Sequence, residues 1–314
     1  DQEMLAAGVA TRASTGRLID RFRDRVTFPI TNTNGAILGF VARRNPSHSD
    51  DDGHGPKYLN TAETPLYHKG DQLFVGGKLT PSSIPVLTEG PFDAIAVTLA
   101  TDGSHVGVAA LGTTLTNQQA VQLRGHPHQP IVATDGDLAG RVAAERDFWI
   151  LSAQGLDPRF ALLLEGSDPA DMVARSEAGD LARAVQCASP LGDRLIDERL
   201  DNLSADLSAV EAAKVLAAQP PYRWNTGAEH IAQTSGVPSG LVRVALLDMI
   251  RAWNEDAQRS SDWALGHVSE PRNRLAALRS HSNMGYEQTS PDHRPTVPSR
   301  RKSREGQHPP NIAR

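Results

Sequence analysis

Between Ile84 and Gln186 the chain repeats one pattern: a short apolar run ending in an acid or a glycine, then a stretch with apolar residues at helical spacing. IPVLTEGP gives way to FDAIAVTLATDG, VGVAALGT to LTNQQAVQLRG, PIVATDGD to LAGRVAAERDFWILSAQG, and PRFALLLEG to SDPADMVARSEAGDLARAVQ. Strands alternating with crossover helices fold as a parallel sheet with helices against its faces. The carboxyl ends of such strands open on one crevice. Glu89, Asp135, Asp137 and Asp168 are therefore expected to converge, although they are far apart in sequence.

Clustered carboxylates repel one another unless a cation or shared protons neutralise them. Hard divalent cations prefer oxygen, and Mg²⁺ takes one or two carboxylates together with waters and substrate phosphates. The acids thus point to Mg²⁺-assisted phosphate chemistry rather than a closed metal cage, and Mn²⁺ suits the same donors. Gly90 after Glu89, and Gly136 between the two aspartates, remove side chains where the backbone must turn or approach a ligand. Asp137 stands just before a helical stretch, and an N-cap and a metal ligand both fit it.

The flanks read differently. Residues 1–25 open on a short helical pattern, and VTFPI and AILGFVARR predict a hairpin around Asn34-Gly35, with positive φ at both turn positions. NPSHSDDDGHGP, residues 45–56, reads as a mobile surface loop. Beyond Ser189 the spacing is helical to about Trp263, with breaks at Gln219-Pro220-Pro221 and Gly236-Val237-Pro238. The helix pair around the second break has the outline of a helix-turn-helix, and equally of a plain bundle. From 269 onward Pro, Ser, Arg, Asn and His dominate, which predicts a disordered tail carrying the basic cluster RRKSR. The expected units are 1–78, 79–188, 189–268 and 269–314.

Bulk properties narrow the class. The 314 residues, 39% of them apolar, suit a globular chain of about two domains, and no run of about 18 apolar residues is present to span a bilayer. The start, DQEMLAAGVA, has no basic or apolar signal region and no initiator Met, so a secretory leader is not expected and the chain reads as a fragment. A single cysteine, Cys187, forms no internal disulfide and no Cys-rich zinc site, which predicts a reducing, cytoplasmic setting. It is expected as a small, partly buried side chain at a helix end. The net charge of −5 excludes a chain coated in positive potential but not a local basic groove.

The motifs carry a family resemblance. VLTEGPFDAIAV resembles the first motif of the Toprim fold, VATDGDLAGRVAA its second, and EGSDPADMV its later acidic element. Over residues 18–190, DRFRDRVTFPITNTNGAILGFVARR, PKYLNTAETPLYHKG and VAALGTTLT resemble, in order and spacing, the catalytic core of bacterial DnaG-type primases. The resemblance implies an α/β Toprim-type sheet flanked by helices, with an N-terminal α+β subdomain and a C-terminal helical region. It also implies Mg²⁺-dependent synthesis of short RNA primers from NTPs on single-stranded DNA.

Carried over residue by residue, it gives Glu89 general acid/base or metal-organising work and makes Asp135 and Asp137 the principal metal ligands. Asp93, on the helix that follows Glu89, falls on a further acidic position, and Asp168 on the first acid of the later element. The family's next acid falls on Ala170, so Asp171 departs from the pattern by one place. Arg21 and Arg23, which share a face if their stretch is extended, match a position the family uses to meet phosphates, and Arg43, Lys57 and Lys69 fall on further basic positions of the matching motifs. Tyr58 fits base stacking or plain packing. The zinc-binding domain of full-length members has no counterpart in these residues, and the helical region is implied as a dock for a replicative helicase.

Two rival readings share the fold. A Toprim nuclease or topoisomerase is the first, although Tyr58, Tyr67, Tyr222 and Tyr286 lie in the primase-like motifs, beside proline or in the tail, not in a second catalytic domain. The second is a replication-associated binding protein without turnover, against which the intact acids count.

Overall fold

The computed structural model describes residues 1–32, 34–48, 53–202 and 205–268. The expected disordered tail and the apex of the acidic loop, residues 49–52, lie outside the described residues.

The N-terminal part is α1 (Gln2–Ala6), a hairpin of β1 (Ala10–Arg12) and β2 (Leu18–Asp20), and an antiparallel sheet of β3 (Arg25–Thr31), β4 (Ile37–Arg44) and β5 (Tyr58–Asn60). The β3–β4 turn differs from the expected two-residue form. Among the described residues of the turn, Gly35 has positive φ, at 80°. The Asn32 carboxamide oxygen accepts from the backbone N–H of Asn34 and of Ala36, at 3.0 and 2.9 Å. That asparagine bracket widens the loop, and the strand register shifts at Ile30/Thr31 to accommodate it.

The central sheet has six strands in the order β11-β10-β9-β7-β8-β6. In chain order these are β6 (Leu73–Val75), β7 (Ile84–Thr88), β8 (His105–Ala110), β9 (Ile131–Ala133), β10 (Arg159–Phe160) and β11 (Ser189–Pro190). The four inner strands are parallel as the alternating pattern requires, whereas β6 and β11 are antiparallel edges. β6 precedes the expected boundary at 78/79 yet completes this sheet, because its apolar residues pair with β8. PRFALLLEG, read as a strand throughout, is one only at Arg159–Phe160.

Between the strands run α2 (Pro91–Ala100), α3 (Asn117–Arg124), α4 (Leu138–Ala153), α5 (Pro169–Ala174) and α6 (Ala178–Gln186). Consecutive strand residues point to opposite faces, and the cores follow that alternation. Val86, Ile131 and Ala133 join Val97 of α2, Met172 of α5 and Leu181 of α6. Leu87 and Val132 join Phe148 and Leu151 of α4 and continue into the helical region. Cys187 caps the C-terminus of α6 and is exposed, where a partly buried side chain was expected, because it falls between Val185 and Ala188, which fill the inward positions.

The helical region is α7 (Leu191–Asn202), α8 (Ala205–Ala217), α9 (Trp224–Ser235), α10 (Ser239–Glu255) and α11 (Ala257–His267). Gly236 ends α9 with φ at 75°, the left-handed conformation glycine adopts without cost. Ile231 and Leu246 from the helix pair around it pack in the same core as Leu216 of α8, so the pair is part of a bundle. Two ion pairs tie the bundle to the sheet domain: Arg199 with Glu145 of α4, and Arg223 with Asp157 before β10, the second at 2.9 Å. Among the described residues no helix is long and apolar enough to cross a membrane.

Candidate active site at the strand ends

Glu89 follows the last residue of β7, and Gly90 N-caps α2 with Pro91 in the first turn. A strand that passes straight into a helix leaves the intervening acid exposed at the crevice, and Glu89 is exposed there. Asp135 follows Thr134 at the end of the neighbouring strand β9, and its backbone N–H donates to Glu89 Oε1 at 3.1 Å. That bond joins the first two Toprim-like motifs directly.

Asp137 N-caps α4, its Oδ1 accepting from the Gly140 N–H at 2.7 Å. Asp168 N-caps α5 in the same way, accepting from the Asp171 N–H at 2.6 Å. Each carboxylate thus has a structural task and a second oxygen. Two glycines permit the close packing: a Cβ on Gly136 would lie 2.0 Å from the Leu164 carbonyl oxygen, and one on Gly140 would lie 2.1 Å from that of Asp135. Asp93 lies in the first turn of α2 and accepts from the Ala170 N–H at 3.2 Å, which draws the β7 and β10 ends together. Asp171 is exposed and faces Arg175, the residue that ends its helix, at 3.7 Å.

The electrostatics register the convergence. Burial first, then the charges of Glu89, Asp93, Asp168 and Asp137, push the Asp135 carboxyl up to about 7. Burial and the Asp168 charge push Asp93 up to about 6, against the Ala170 N–H, which lowers it. Among the described residues no three His, Cys, Asp or Glu side chains form a ready-made metal cluster. The arrangement is an open one, Glu89 and Asp135 at its centre, and it fits a divalent cation that completes its shell with phosphate and water.

A residue outside the sequence motifs belongs to the same neighbourhood. Asp147 of α4 is half-buried as a residue, but its carboxyl is turned inward; burial and then the Glu89 charge push it up to about 8. It lines a cavity of 300 Å³ together with Glu89, Thr88, Thr134 and Gly112. An acid in the middle of an amphipathic helix carries no motif, so only its register on α4 relative to Asp137, ten residues earlier, hinted at it. A larger cavity of 630 Å³ lies away from these acids, against Trp149, Trp253 and Trp263 in the helical region.

Basic and aromatic residues border the acids on the N-terminal side. Arg43 stacks over the Phe92 ring at 4.4 Å, Lys57 lies 5.8 Å over the Tyr58 ring, and Tyr58 and Phe92 are 6.1 Å apart. Burial raises the Tyr58 hydroxyl, Arg43 opposes that, and Asp93 and Asp168 add to it, so Tyr58 sits between cation and acids. Lys69 reaches the opposite rim, its Cε 3.9 Å from where a Gly112 Cβ would stand. Arg21 and Arg23 do not share a strand face. β2 ends at Asp20, the chain bends, and Asp24 takes φ of 50°. Arg21 instead donates twice to the Asn60 carbonyl, at 3.1 and 3.2 Å, and Asn60 in turn donates to the Leu111 carbonyl. Arg23 is exposed.

The family described as "DNA primase catalytic core, N-terminal domain" matches residues 1–79, and a Toprim-like family matches residues 86–173. The DNA primase of Salmonella typhimurium is 30% identical over 307 residues, 94% of this chain and 50% of its own length. That of Halalkalibacterium halodurans is 39% identical over 168 residues, 52% of this chain and 27% of its own. The chain thus spans half or less of these two curated relatives. The crystal structure of a DNA primase domain from Pseudomonas aeruginosa is similar at a TM-score of 0.62 and 31% identity, covering 78% of this chain and 79% of that one. A DnaG primase catalytic domain bound to single-stranded DNA is similar at a TM-score of 0.62 and 26% identity, covering 76% and 77%. With both halves of the core matched in sequence and the strand-end acids in place, the chain belongs to the family of bacterial DnaG-type primase catalytic cores.

Proposed function

We propose that this chain synthesises short RNA primers from NTPs on single-stranded DNA, with Mg²⁺ at the strand-end acids. The observation that carries the reading is the Glu89–Asp135 link beside a bordering group of cations and aromatics. Asp135, Asp137 and Asp168 would hold the metal through oxygens not used as caps, with Asp93 as an outer member. Held by these residues, Mg²⁺ would supply a lowered pKa for an attacking 3′-hydroxyl and charge neutralisation on the incoming phosphates. Glu89 would take the hydroxyl proton, a reading supported by its exposure at the crevice and by its hydrogen bond from the Asp135 N–H. Arg43, Lys57 and Lys69 supply positive charge for nucleotide and template phosphates, Arg43 with its planar fork. Tyr58 and Phe92 offer ring faces for bases, and the exposed Arg23 extends the basic border. Arg21 serves by holding the N-terminal sheet to the β8 end. A neighbour of this fold binds single-stranded DNA, which supports the template. The helical region is the proposed dock for a replicative helicase, and a reducing cytoplasm the proposed setting.

The test is primer synthesis on single-stranded DNA with NTPs and Mg²⁺. Asp135→Ala should lower product by about a hundredfold or more, as loss of a charge-stabilising group does, with the fold intact by circular dichroism. Cleavage of the DNA would favour a nuclease, and binding without any metal-dependent product a module without turnover.

A further inference from the structure

The cavity beside Glu89 is lined by Arg146, Thr113 and Thr114 and by Thr134 and Asp147, polar groups to which the proposed chemistry gives no task. Thr134 is 2% exposed, and its hydroxyl is buried with no partner among the described residues. Asp147, unlike Asp137 and Asp168, caps no helix, and its side chain has no hydrogen bond or ion pair among the described residues. Ala143, one turn before Asp147 on the same face of α4, lines the same cavity with a small side chain and leaves room there. An unpartnered buried hydroxyl is costly, and the cavity of 300 Å³ lies at the small end of the range for small-molecule subsites.

Resting on the polymerase reading above, we propose that this cavity holds the ribose at the 3′ end of the growing primer, with Thr134 and Asp147 recognising its 2′-hydroxyl. Glu89 lines the cavity and is the group placed to receive the 3′-hydroxyl proton. The 2′-hydroxyl is vicinal to that nucleophile, so a sugar reacting at Glu89 presents it to the next groups inward. As both donor and acceptor, it can accept from Thr134 and donate to an oxygen of the Asp147 carboxyl group. A 2′-deoxy end would leave both protein groups unpaired, the situation in which a hydroxyl-reading site discriminates strongly. The site would then favour extension of an RNA end over a DNA end.

The experiment compares oligonucleotides ending in a ribose or a 2′-deoxyribose, annealed to template and extended with NTPs and Mg²⁺ by the whole chain. Wild type should prefer the ribose end, and Thr134→Val or Asp147→Leu should each shrink that preference about tenfold, the scale of one lost hydrogen bond. Asp147→Asn, which keeps an acceptor oxygen, should retain most of it. Thr134→Val is nearly isosteric, and matching thermal midpoints check folding. Equal loss on both ends, or no wild-type preference, would overturn the proposal. So would a change confined to discrimination between incoming NTPs and dNTPs, which would place the incoming sugar in the cavity. Mg²⁺-dependent binding of the two oligonucleotides is measured in parallel. A ribose preference in binding without synthesis would sink the polymerase reading and leave the cavity's assignment standing, whereas no preference in either assay overturns the cavity alone when wild type still extends.

Discussion

Asp93, Asp135 and Asp147 have carboxyls held at about 6, 7 and 8, above the ordinary 3.8, by burial first and then by neighbouring charge, that of Glu89 at all three and that of Asp168 at Asp93 and Asp135. The sign of the consequence follows from linkage. Between 3.8 and these values the folded chain keeps protons that the unfolded chain has released, so stability falls as pH rises through that window. In EDTA the urea midpoint should therefore be higher near about pH 5 than near about pH 8. Asp135→Asn should flatten the slope, and Mg²⁺ should raise the midpoint most at the alkaline end, where the acids are ionised. A flat profile in EDTA would show that the acids do not crowd one another. Asp171 is exposed and pairs with Arg175.

Among the elements, the N-termini of α4 and α5 carry a double burden, because Asp137 and Asp168 cap them and also face the site. Asparagine keeps a capping oxygen and removes the charge, which separates the two tasks. Asp137→Asn should leave unfolding free energy within a few tenths of a kcal/mol and reduce primer synthesis; Asp137→Ala should lose both activity and about 1 kcal/mol. Denaturation and synthesis measured on the same samples decide it, and equal activity in wild type and Asp137→Asn would reduce Asp137 to a cap. The sequence showed the cap and the ligand as alternatives at this position, and the structure lets one residue be placed for both. Elsewhere the local signal was incomplete. Asn34-Gly35 is a strong turn dipeptide, yet Asn32 two residues earlier captured the loop's N–H groups and changed its form. Arg21 and Arg23 have the spacing of a shared strand face, but nothing local reveals that the strand stops at Asp20.

For the whole molecule, the joint between sheet domain and bundle rests on a buried ion pair: the side chains of Glu145 and Arg199 are 3% and 12% exposed. Removing one partner from such a pair leaves a charge in the interior and costs about 3 to 5 kcal/mol. Arg199→Ala should lower the unfolding free energy by about 3 kcal/mol, read by urea denaturation followed through the tryptophans. A loss below about 1 kcal/mol would show that the joint is held by apolar packing alone. The same core runs from Leu87 and Val132 through Phe148 into Leu216 and Ile231, so the bundle continues the sheet's packing on one face.

The apolar runs, their helical interludes and their terminal acids determined the parallel sheet and the gathering of Glu89, Asp135, Asp137 and Asp168, because strand direction alone puts those ends on one side. Tertiary structure decided what periodicity does not encode: that β6 crosses the expected boundary to close the sheet edge, that Arg21 is spent on Asn60, and that Asp147 turns inward beside Glu89. Each of these depends on a partner distant in sequence, and a side chain's surroundings are set by that partner rather than by its neighbours along the chain.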